Sequence, residues 1–476
     1  AELEHASGLS QILTAAGRLG QYMESAFATY NATMLSFLFA IKTCFRLVAG
    51  VDGQPPAMVD GLTAWLDRRT EGSGRWAGPL EPATSTTYTS HAEVSARLAA
   101  LGQRLGRSDG DGEVARGNWL GFQRLNSRCW PEVPWRGIGL GAPQEAHAWI
   151  RPIIYSLCGA QGEWSSAKVD EAAAAFFAPP GGAARTEFRA VRDLKLWVCQ
   201  ILHEVLFGEP ISEARAIELV ALQWTWMKCM AAPDGALDVP GLRQMLGLDA
   251  FLPAKAKLLE ELEPLVRRRV PATAQRTDAD VTALTSCLLD ALMFAGGQSI
   301  PSVLAYALAL PYSKTLAAAL PSGFSLDQTE LLPQYVLEVI RRFAPVSGFA
   351  YVERSAGSAP EQTAMLSLHS AQNDPAAWAE DPNRFLLRPM EEYAAKSVGF
   401  AEPAVDPDHD SPNAHSCPGK DLSLVMSAAF LAAFARTAQG QGPVTAKWKL
   451  VEGAAAGGGP DPISLVGPTD FTLRLD

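Results

Sequence analysis

Apolar side chains recur three and four residues apart along most of this chain, and this spacing limits its fold more than any other feature. Such spacing gives an α-helix one apolar face, so it predicts helices wherever it persists. The segments that show it are 9–47, 91–105, 146–157, 191–206, 213–229, 255–270, 278–310, 330–343 and 422–438. Strand-like sequence is sparse and late, at 347–352, 364–368, 447–452 and 470–476. The sequence therefore predicts a mainly α protein with a small β-rich lobe.

Composition constrains the partners and the surroundings of the protein. The chain has 476 residues, 48% of them hydrophobic, and can form a large packed core. Its net charge of −11 argues against a nucleic-acid partner held by phosphate contacts. The seven cysteines are an odd number without paired spacing, which argues against a disulfide framework and favours reducing surroundings.

The sequence favours a cytoplasmic protein. The most membrane-like stretch, 34–41, is much shorter than the roughly 20 apolar residues that span a bilayer. The sequence leaves open a peripheral membrane contact. It also leaves open an upstream signal, anchor or fused domain ahead of Ala1.

One cysteine stands apart from the others because of its neighbours. The stretch HSCPGKDLSL, 415–424, places Cys417 before a Pro-Gly turn at the start of an apolar helix. At that place the sulfur receives the positive end of the helix dipole, which favours the thiolate that ligates a metal. Pro418 restricts the backbone, and Gly419 lets it approach a flat cofactor without a Cβ in the way. A lone cysteine is more often a small buried hydrophobe, so other segments must agree.

A pair of charged residues lies among apolar side chains in VLEVIRRF. Glu338 and Arg341 are three residues apart, so on a helix they share a face and can bond each other. A buried pair of this kind needs further partners. Arg384, in the downstream DPNRF, offers the planar set of donors that suits a buried carboxylate. The sequence predicts that these three residues bond one another.

The E-x-x-R pair, the P-x-R-F element and then the cysteine, in that order, resemble the cytochrome P-450 superfamily. The resemblance implies the mainly helical cytochrome P-450 fold as one large haem-thiolate domain over 1–476. The match is clear over 135–476 and weak over 1–130. It also implies haem b as the cofactor and Cys417 as the axial ligand of its iron. Glu338, Arg341 and Arg384 would brace the layer beneath the haem.

Two histidines and an arginine fit the same resemblance. In EAHAWIRP, His147 and Arg151 match the His-x-x-x-Arg pair that holds haem propionates in many members. His415, two residues ahead of the cysteine, falls where the family commonly has a cationic propionate partner. The resemblance therefore implies that these three residues neutralise the propionates.

The segment LMFAGGQSIPSV departs from the family at one position. Its Gly-Gly pair, with a proline soon after, is expected to weaken the helical hydrogen bonds and open a groove. The family's segment is A-G-x-acid-Thr, where the acid and the alcohol deliver protons to bound oxygen. Here Ala295, Gly296, Gln298 and Ser299 keep the glycine and an alcohol but replace the acid with an amide. Because an amide does not relay a proton, the change argues against ordinary dioxygen activation.

The region ahead of the cysteine also departs from the family's usual F-x-x-G-x-R-x-C-x-G. The segment AEPAVDPDHDSPNAHS separates Phe400 from Cys417. This extended loop, with GKDL after it, is similar to the plant-type branch that rearranges fatty-acid hydroperoxides, the allene oxide synthases and hydroperoxide lyases among them. The H-x-C-P-G order is similar to bacterial peroxide-using fatty-acid hydroxylases. The plant-type branch carries an Asn on the long helix, in register with about Met293 here, and the bacterial group carries an Arg-Pro carboxylate anchor that the segment LMFAGGQS lacks.

These departures set the expected activity. The first hypothesis is a haem-thiolate enzyme that rearranges or dehydrates a fatty-acid hydroperoxide without O2 or a reductase, with Gln298 and Ser299 steering the substrate. The pocket wall is predicted to consist of Met293, Phe294, Ile300 and Val303. The runner-up is an O2- and NAD(P)H/reductase-dependent monooxygenase of an apolar small molecule, which alone would need a redox partner. The sequence also allows a peroxide-using hydroxylase, or a haem-binding sensor or carrier without activity.

Overall fold

The structure of this protein is a computed structural model, and it describes part of the chain. The described residues are 85–104, 144–158, 164, 166–231, 243–244, 247–270, 277–313, 320–346, 349–353, 362–378, 382, 384–401, 416–438, 443–452, 463–464, 467–468 and 471–476. The predicted helix at 9–47 and the side chains of His147, Phe294 and His415 lie outside them.

The described part of the chain is mainly helical, which confirms the predicted fold class. The α-helices are α1 (His91–Arg104), α2 (Gln144–Cys158), α3 (Ser166–Phe177), α4 (Ala190–Phe207), α5 (Glu213–Ala231), α6 (Leu248–Arg269), α7 (Asp278–Asp290), α8 (Gly296–Ala309), α9 (Leu332–Arg342), α10 (Leu368–Gln372), α11 (Met390–Lys396), α12 (Lys420–Arg436) and α13 (Val444–Lys447). Short 3-10 turns lie at Leu310–Tyr312 and Thr329–Leu331.

The central helical element consists of α7, a π-helical turn at Ala291–Ala295, and α8. It begins with a capping box, in which the Thr277 hydroxyl accepts from the Asp280 N–H and the Asp280 carboxylate accepts from the Thr277 N–H. The continuous run Asp278–Tyr312 is long and apolar enough to cross a membrane by length and composition alone. However, 65% of its most apolar window is buried inside the protein, as in the core helix of a soluble protein.

The strands form small sheets beside the helices. They are β1 (Ser85–Tyr88), β2 (Glu187–Arg189), β3 (Phe349–Glu353), β4 (Gln362–Leu366), β5 (Trp448–Glu452), β6 (Ile463–Ser464), β7 (Gly467–Pro468) and β8 (Thr472–Leu475). The order β1-β4-β3 has a parallel β1–β4 pair and an antiparallel β3–β4 pair. The order β2-β8-β5 is antiparallel, and β6 pairs with β7. The sequence predicted β3, β4, β5 and β8, whereas β1, β2, β6 and β7 were not predicted.

The main core lies where α3, α4, α8 and α12 pack together. In this core α8 contacts α4, α9 and α12, and α12 contacts α2 and α3. A smaller cluster packs α1 and α10 against the β1-β4-β3 sheet. The packing therefore brings α8, which follows the π-helical turn, into contact with both α9 and α12, and α9 also contacts α12.

Candidate functional site

The turn ahead of α12 presents Cys417 to solvent. Of the cysteines that the structure describes, Cys158, Cys199 and Cys287 are buried and Cys417 is exposed, and all four are reduced thiols. The Cys417 N–H donates to the Phe400 carbonyl oxygen at 2.9 Å. The inserted segment therefore leaves and returns at neighbouring points, and Phe400 lies beside the cysteine despite the separation in sequence.

The backbone angles at Gly419, two residues after the cysteine, do not require a glycine. Gly419 has φ −94° and ψ 11°, which other residues also adopt. A Cβ at this position would meet the Cys417 sulfur at 4.0 Å, an ordinary contact. Gly419 instead keeps the surface beside the sulfur free of a side chain, as expected for a site that a flat group approaches.

A buried arginine holds the other side of this turn. Arg151, on α2, is 6% exposed, and its guanidinium donates to the Ser416 carbonyl oxygen at 2.7 Å and to the Ser416 hydroxyl at 3.0 Å. The predicted cation is therefore next to the cysteine turn. Of its predicted companions, His147 is described only as part of the α2 backbone, and His415 lies outside the described residues.

A second cysteine at the end of α2 remains a neutral thiol. Burial, with a smaller contribution from the nearby Cys417 and against the opposing effect of Arg151, raises the pKa of Cys158 to about 12. The Cys158 thiol donates to the Ile154 carbonyl oxygen at 3.0 Å. Since a thiol of such high pKa is a poor metal ligand and nucleophile, Cys417 is the cysteine of this region that suits ligation.

Glu338 on α9 is the centre of a fully buried polar network. Its carboxylate accepts two hydrogen bonds from Arg341, at 2.8 and 2.7 Å, and two from one nitrogen of Arg388, at 3.0 and 3.2 Å. It also accepts from the Tyr393 hydroxyl and the Leu386 N–H, each at 2.9 Å. Burial, with the adjacent Glu338 carboxylate, raises the pKa of Tyr393. A buried carboxylate is tolerated here because so many donors compensate its desolvation.

Arg341 is equally well satisfied. Besides its two bonds to Glu338, it donates to the backbone carbonyl oxygens of Gln372 at 2.9 Å, Pro382 at 2.8 Å and Arg384 at 3.1 Å. These bonds account for all five guanidinium N–H donors. Arg341 thus links α9 to the segment between α10 and α11.

The prediction that Arg384 supplies the second arginine is wrong. The Arg384 side chain is exposed, and only its backbone carbonyl enters the network. Arg388, four residues later and 5% exposed, pairs with Glu338 instead. Residues 385–389 have no assigned secondary structure. The path of the chain past α9 therefore decides which arginine side chain turns towards Glu338, and nearness in sequence to Pro382 does not.

The Gly-Gly pair of the central element permits two close approaches. A Cβ at Gly296 would lie 2.7 Å from a methyl of Leu202 on α4, and a Cβ at Gly297 would lie 1.9 Å from the Leu292 carbonyl oxygen. The predicted weakening of the helix is present as the π-helical turn, in which the Gly296 N–H bonds to the Ala291 oxygen five residues back.

Side-chain amides contact this turn from two helices. Gln223, on α5 and 1% exposed, donates to the Leu292 carbonyl oxygen at 2.9 Å. Gln298 donates to the Met293 carbonyl oxygen at 3.2 Å and to the Gln223 side-chain oxygen at 3.4 Å. The predicted catalytic amide is therefore engaged with the protein. Gln223 was not found from the sequence, because nothing in its local pattern connects it to a turn so distant along the chain.

The predicted pocket wall lies in the core. Met293, Ile300 and Val303 are 0%, 4% and 4% exposed and belong to the main hydrophobic cluster. That these residues wall a pocket stays a prediction. On α8 and the π-helical turn, the partly exposed positions include a stripe at helical spacing, formed by Ala291, Ala295, Ser299, Ser302 and Tyr306. Two of the predicted catalytic positions, Ala295 and Ser299, lie on this stripe.

No protein-family model matches the chain, and no curated protein matches it in sequence. Solved structures do match it. A complex of cytochrome P-450 BioI with acyl carrier protein ligated to hexadec-9Z-enoic acid covers 88% of this chain and 100% of its own, with a TM-score of 0.58 and 13% identity. Epothilone B-bound cytochrome P-450epoK covers 88% and 98%, with a TM-score of 0.56 and 17% identity. The versatile cytochrome P-450 enzyme from Bacillus subtilis covers 87% and 99%, with a TM-score of 0.54 and 14% identity.

The residues of the site fit the cofactor that this fold implies, haem b held by a cysteine thiolate. The exposed Cys417 lies before the N-terminus of α12, and the buried Arg151 guanidinium bonds to the preceding residue, Ser416. The partly exposed stripe of the π-helical turn and α8 carries small side chains at Ala291, Ala295, Ser299 and Ser302, which leave room for a flat group. The likeness to the solved structures and the element order together show that the chain has the cytochrome P-450 fold.

Proposed function

We propose that this protein is a haem-thiolate enzyme acting on an apolar small molecule, with Cys417 as the iron ligand. The observation that carries the proposal is the state of the cysteine turn. Cys417 is exposed, and both its own N–H and the backbone of Ser416 are fixed by partners from distant segments, Phe400 and Arg151. A thiol fixed in this way can meet a metal without reorganising the chain. Bound haem supplies the oxygen chemistry, to which a thiolate ligand contributes electron density.

The residues around the thiol have supporting roles in this proposal. Arg151 already bonds to polar groups of the turn, and with His147 and His415 it would pair with the propionates. The network around Glu338 keeps the segment between α10 and α11 in place against α9. The network thereby holds in place α9, which packs against α12, the helix that begins just after the cysteine turn.

We propose that the substrate brings its own oxygen–oxygen bond, as a fatty-acid hydroperoxide does. The support is Gln298, which stands at the position of the family's acid. Its amide nitrogen is engaged with the Met293 carbonyl and with Gln223. An amide in that role neither donates nor accepts a proton for transfer, so the protonation that O2 activation requires has no carboxylate here. Ser299, on the partly exposed stripe, is the hydroxyl that can orient a peroxide by hydrogen bonding.

The second candidate is an O2- and reductase-dependent monooxygenase, and the solved structures favour it. The similar structures include one bound to epothilone B and one in complex with an acyl carrier protein carrying hexadec-9Z-enoic acid. These ligands are large and mainly apolar. A monooxygenase would rely on Ser299 and water for proton delivery, and it would need a redox partner.

In either case the proposed pocket wall is the partly exposed stripe of the π-helical turn and α8. Ala291 and Ala295 provide apolar surface, Ser299 and Ser302 provide hydroxyl groups, and the Tyr306 ring stacks on a phenylalanine at 4.7 Å between centroids. An apolar chain with one polar oxygen function matches this surface.

The test separates the two oxygen sources. Purified holoprotein is mixed with a polyunsaturated fatty-acid hydroperoxide in the absence of reductant and O2. Many turnovers per haem under these conditions support the hydroperoxide reaction. If turnover appears only with NADPH, a reductase and O2, the hydroperoxide proposal is wrong and the monooxygenase is supported. A matched variant, Ser299→Ala, should slow turnover on either route, whereas Ser423→Ala on α12, whose hydroxyl bonds to the Lys420 carbonyl, should not.

A further inference from the structure

Two carboxamide side chains from different helices bond to the π-helical turn. Gln223 comes from α5 and Gln298 from α8, and each donates to a backbone carbonyl of the turn, Leu292 and Met293 respectively. They also bond to each other, since the Gln223 side-chain oxygen accepts from the Gln298 nitrogen. Gln223 is almost completely buried, so its amide has no access to bulk water.

The bond from Gln223 replaces one that the α-helical geometry would provide. In an α-helix the Gly296 N–H would bond to the Leu292 oxygen, four residues back. Here the Gly296 N–H bonds to the Ala291 oxygen, and the Leu292 oxygen accepts from Gln223. A buried carbonyl without a donor costs about 1–3 kcal/mol, so the amide stabilises the wide form of the turn against the regular one.

The glycine next to this bond is part of the same arrangement. A Cβ at Gly297 would lie 2.8 Å from the Gln223 nitrogen and closer still to the Leu292 oxygen. The absence of a side chain lets the amide reach the carbonyl. The sequence Gly-Gly-Gln and a glutamine on α5 thus form one unit, although the two segments lie far apart in the chain.

We infer that Gln223 and Gln298 act as an amide clamp that holds the π-helical turn in its wide form and ties it to α5. The π-helical turn accommodates one residue more than an α-helical turn. If it became α-helical, the part of α8 beyond it would rotate by about 100°, the angle of one residue, relative to α7. Ser299 would then leave the partly exposed stripe. The clamp therefore makes Gln223 a positioning residue for the Ser299 hydroxyl, and it couples the position of α5 to the orientation of the proposed site. The inference rests on the proposed function only where activity is the readout.

A double-mutant cycle tests the clamp. Gln223→Leu and Gln298→Leu should each lower kcat about tenfold, the equivalent of one buried hydrogen bond, and change KM by less than about twofold. The double variant should be no worse than the more affected single variant, because the two amides form one unit. The matched control is Gln200→Leu on α4, which removes a comparable amide bond to the Ile211 carbonyl oxygen, 3.2 Å long, and should leave kcat unchanged. Additive losses would overturn the inference.

A charge-changing variant distinguishes positioning from bulk packing. In Gln223→Glu the protonated carboxyl can donate to the Leu292 oxygen, whereas the ionised carboxylate cannot. Burial raises the pKa of the introduced carboxyl. Its kcat should therefore match the wild type at low pH and fall to the Gln223→Leu level as pH rises, a step that the wild type and Gln200→Leu lack. A pH profile parallel to that of the wild type would contradict the clamp.

The clamp and the proposed function can fail separately. If the holoprotein turns over no hydroperoxide and no O2-dependent substrate, the same cycle is measured on the free energy of unfolding. Non-additive unfolding energies then support the clamp, and additive ones overturn it. If turnover is normal but the cycle is additive in both readouts, the proposed function stands and the clamp does not.

Discussion

Arg388, and not Arg384, bonds to the buried Glu338 carboxylate, so substitutions of these two arginines should differ in their effect on stability. Arg388→Met removes two bonds to a fully buried carboxylate, at 3.0 and 3.2 Å, while nearly preserving side-chain length. Glu338 keeps its bonds to Arg341 and Tyr393 but loses its second positive charge. Removing one partner from a buried ionic network costs about 3–5 kcal/mol, so the expected loss of stability is of that order.

The matched control is Arg384→Met, four residues earlier in the same stretch. Its side chain is exposed and only its backbone carbonyl bonds to Arg341, so the substitution should cost less than about 0.5 kcal/mol. Urea denaturation followed by far-ultraviolet circular dichroism gives both values, and the haem content of the purified variants gives an independent measure. Equal losses for the two variants, or a larger loss for Arg384→Met, would refute the assignment of Arg388 to the network.

Three further outcomes follow from the same contacts. Gly297→Ala should destabilise the protein by more than about 3 kcal/mol, because its Cβ would lie 1.9 Å from a carbonyl oxygen. Gly419→Ala, whose Cβ would have its nearest contact at 4.0 Å, should cost less than about 1 kcal/mol. Similar melting temperatures for the two variants would contradict both expectations. Tyr393→Phe removes one bond to the Glu338 carboxylate and should cost about 1.5–3 kcal/mol in urea denaturation; an unchanged midpoint would argue against that bond. Burial raises the pKa of Cys158 to about 12, so the unfolded chain loses this proton first and stability should fall as pH rises above about 9. Cys158→Ala should reduce the fall, and an unchanged dependence on pH would show that Cys158 is not the source.

Local patterns predicted the parts of the site whose partners are close in sequence. Glu338 and Arg341 are one helical turn apart, so their pairing followed from spacing alone. The helical pattern at 278–310 marked the central element, although a pattern of that kind does not distinguish an α-turn from a π-turn. Helix α3 was missed because its run of alanines, AAAA, has no apolar periodicity, while alanine itself favours helix.

The sequence pattern could not predict which residues make contacts between segments that are far apart in the chain. Arg384 and Arg388 are equally suited chemically to a buried carboxylate, and only the path of the chain past α9 decides between them. The same holds for Gln223, whose partners lie on another helix. On α8 the larger apolar residues Ile300 and Val303 pack into the core, whereas Ser299 and Ser302 remain partly exposed. Apolar character alone does not distinguish a core face from a pocket face.

The central claim, that Cys417 is the iron ligand of a haem-thiolate enzyme, is tested most directly by the absorption spectrum of the ferrous–CO complex. The wild-type protein should show the long-wavelength Soret band of a thiolate-ligated haem. Cys417→Ser should lose that band, while Cys199→Ser, which changes a buried cysteine on α4, should keep it. Retention of the band in Cys417→Ser, or its absence from haem-loaded wild-type protein, would contradict the account.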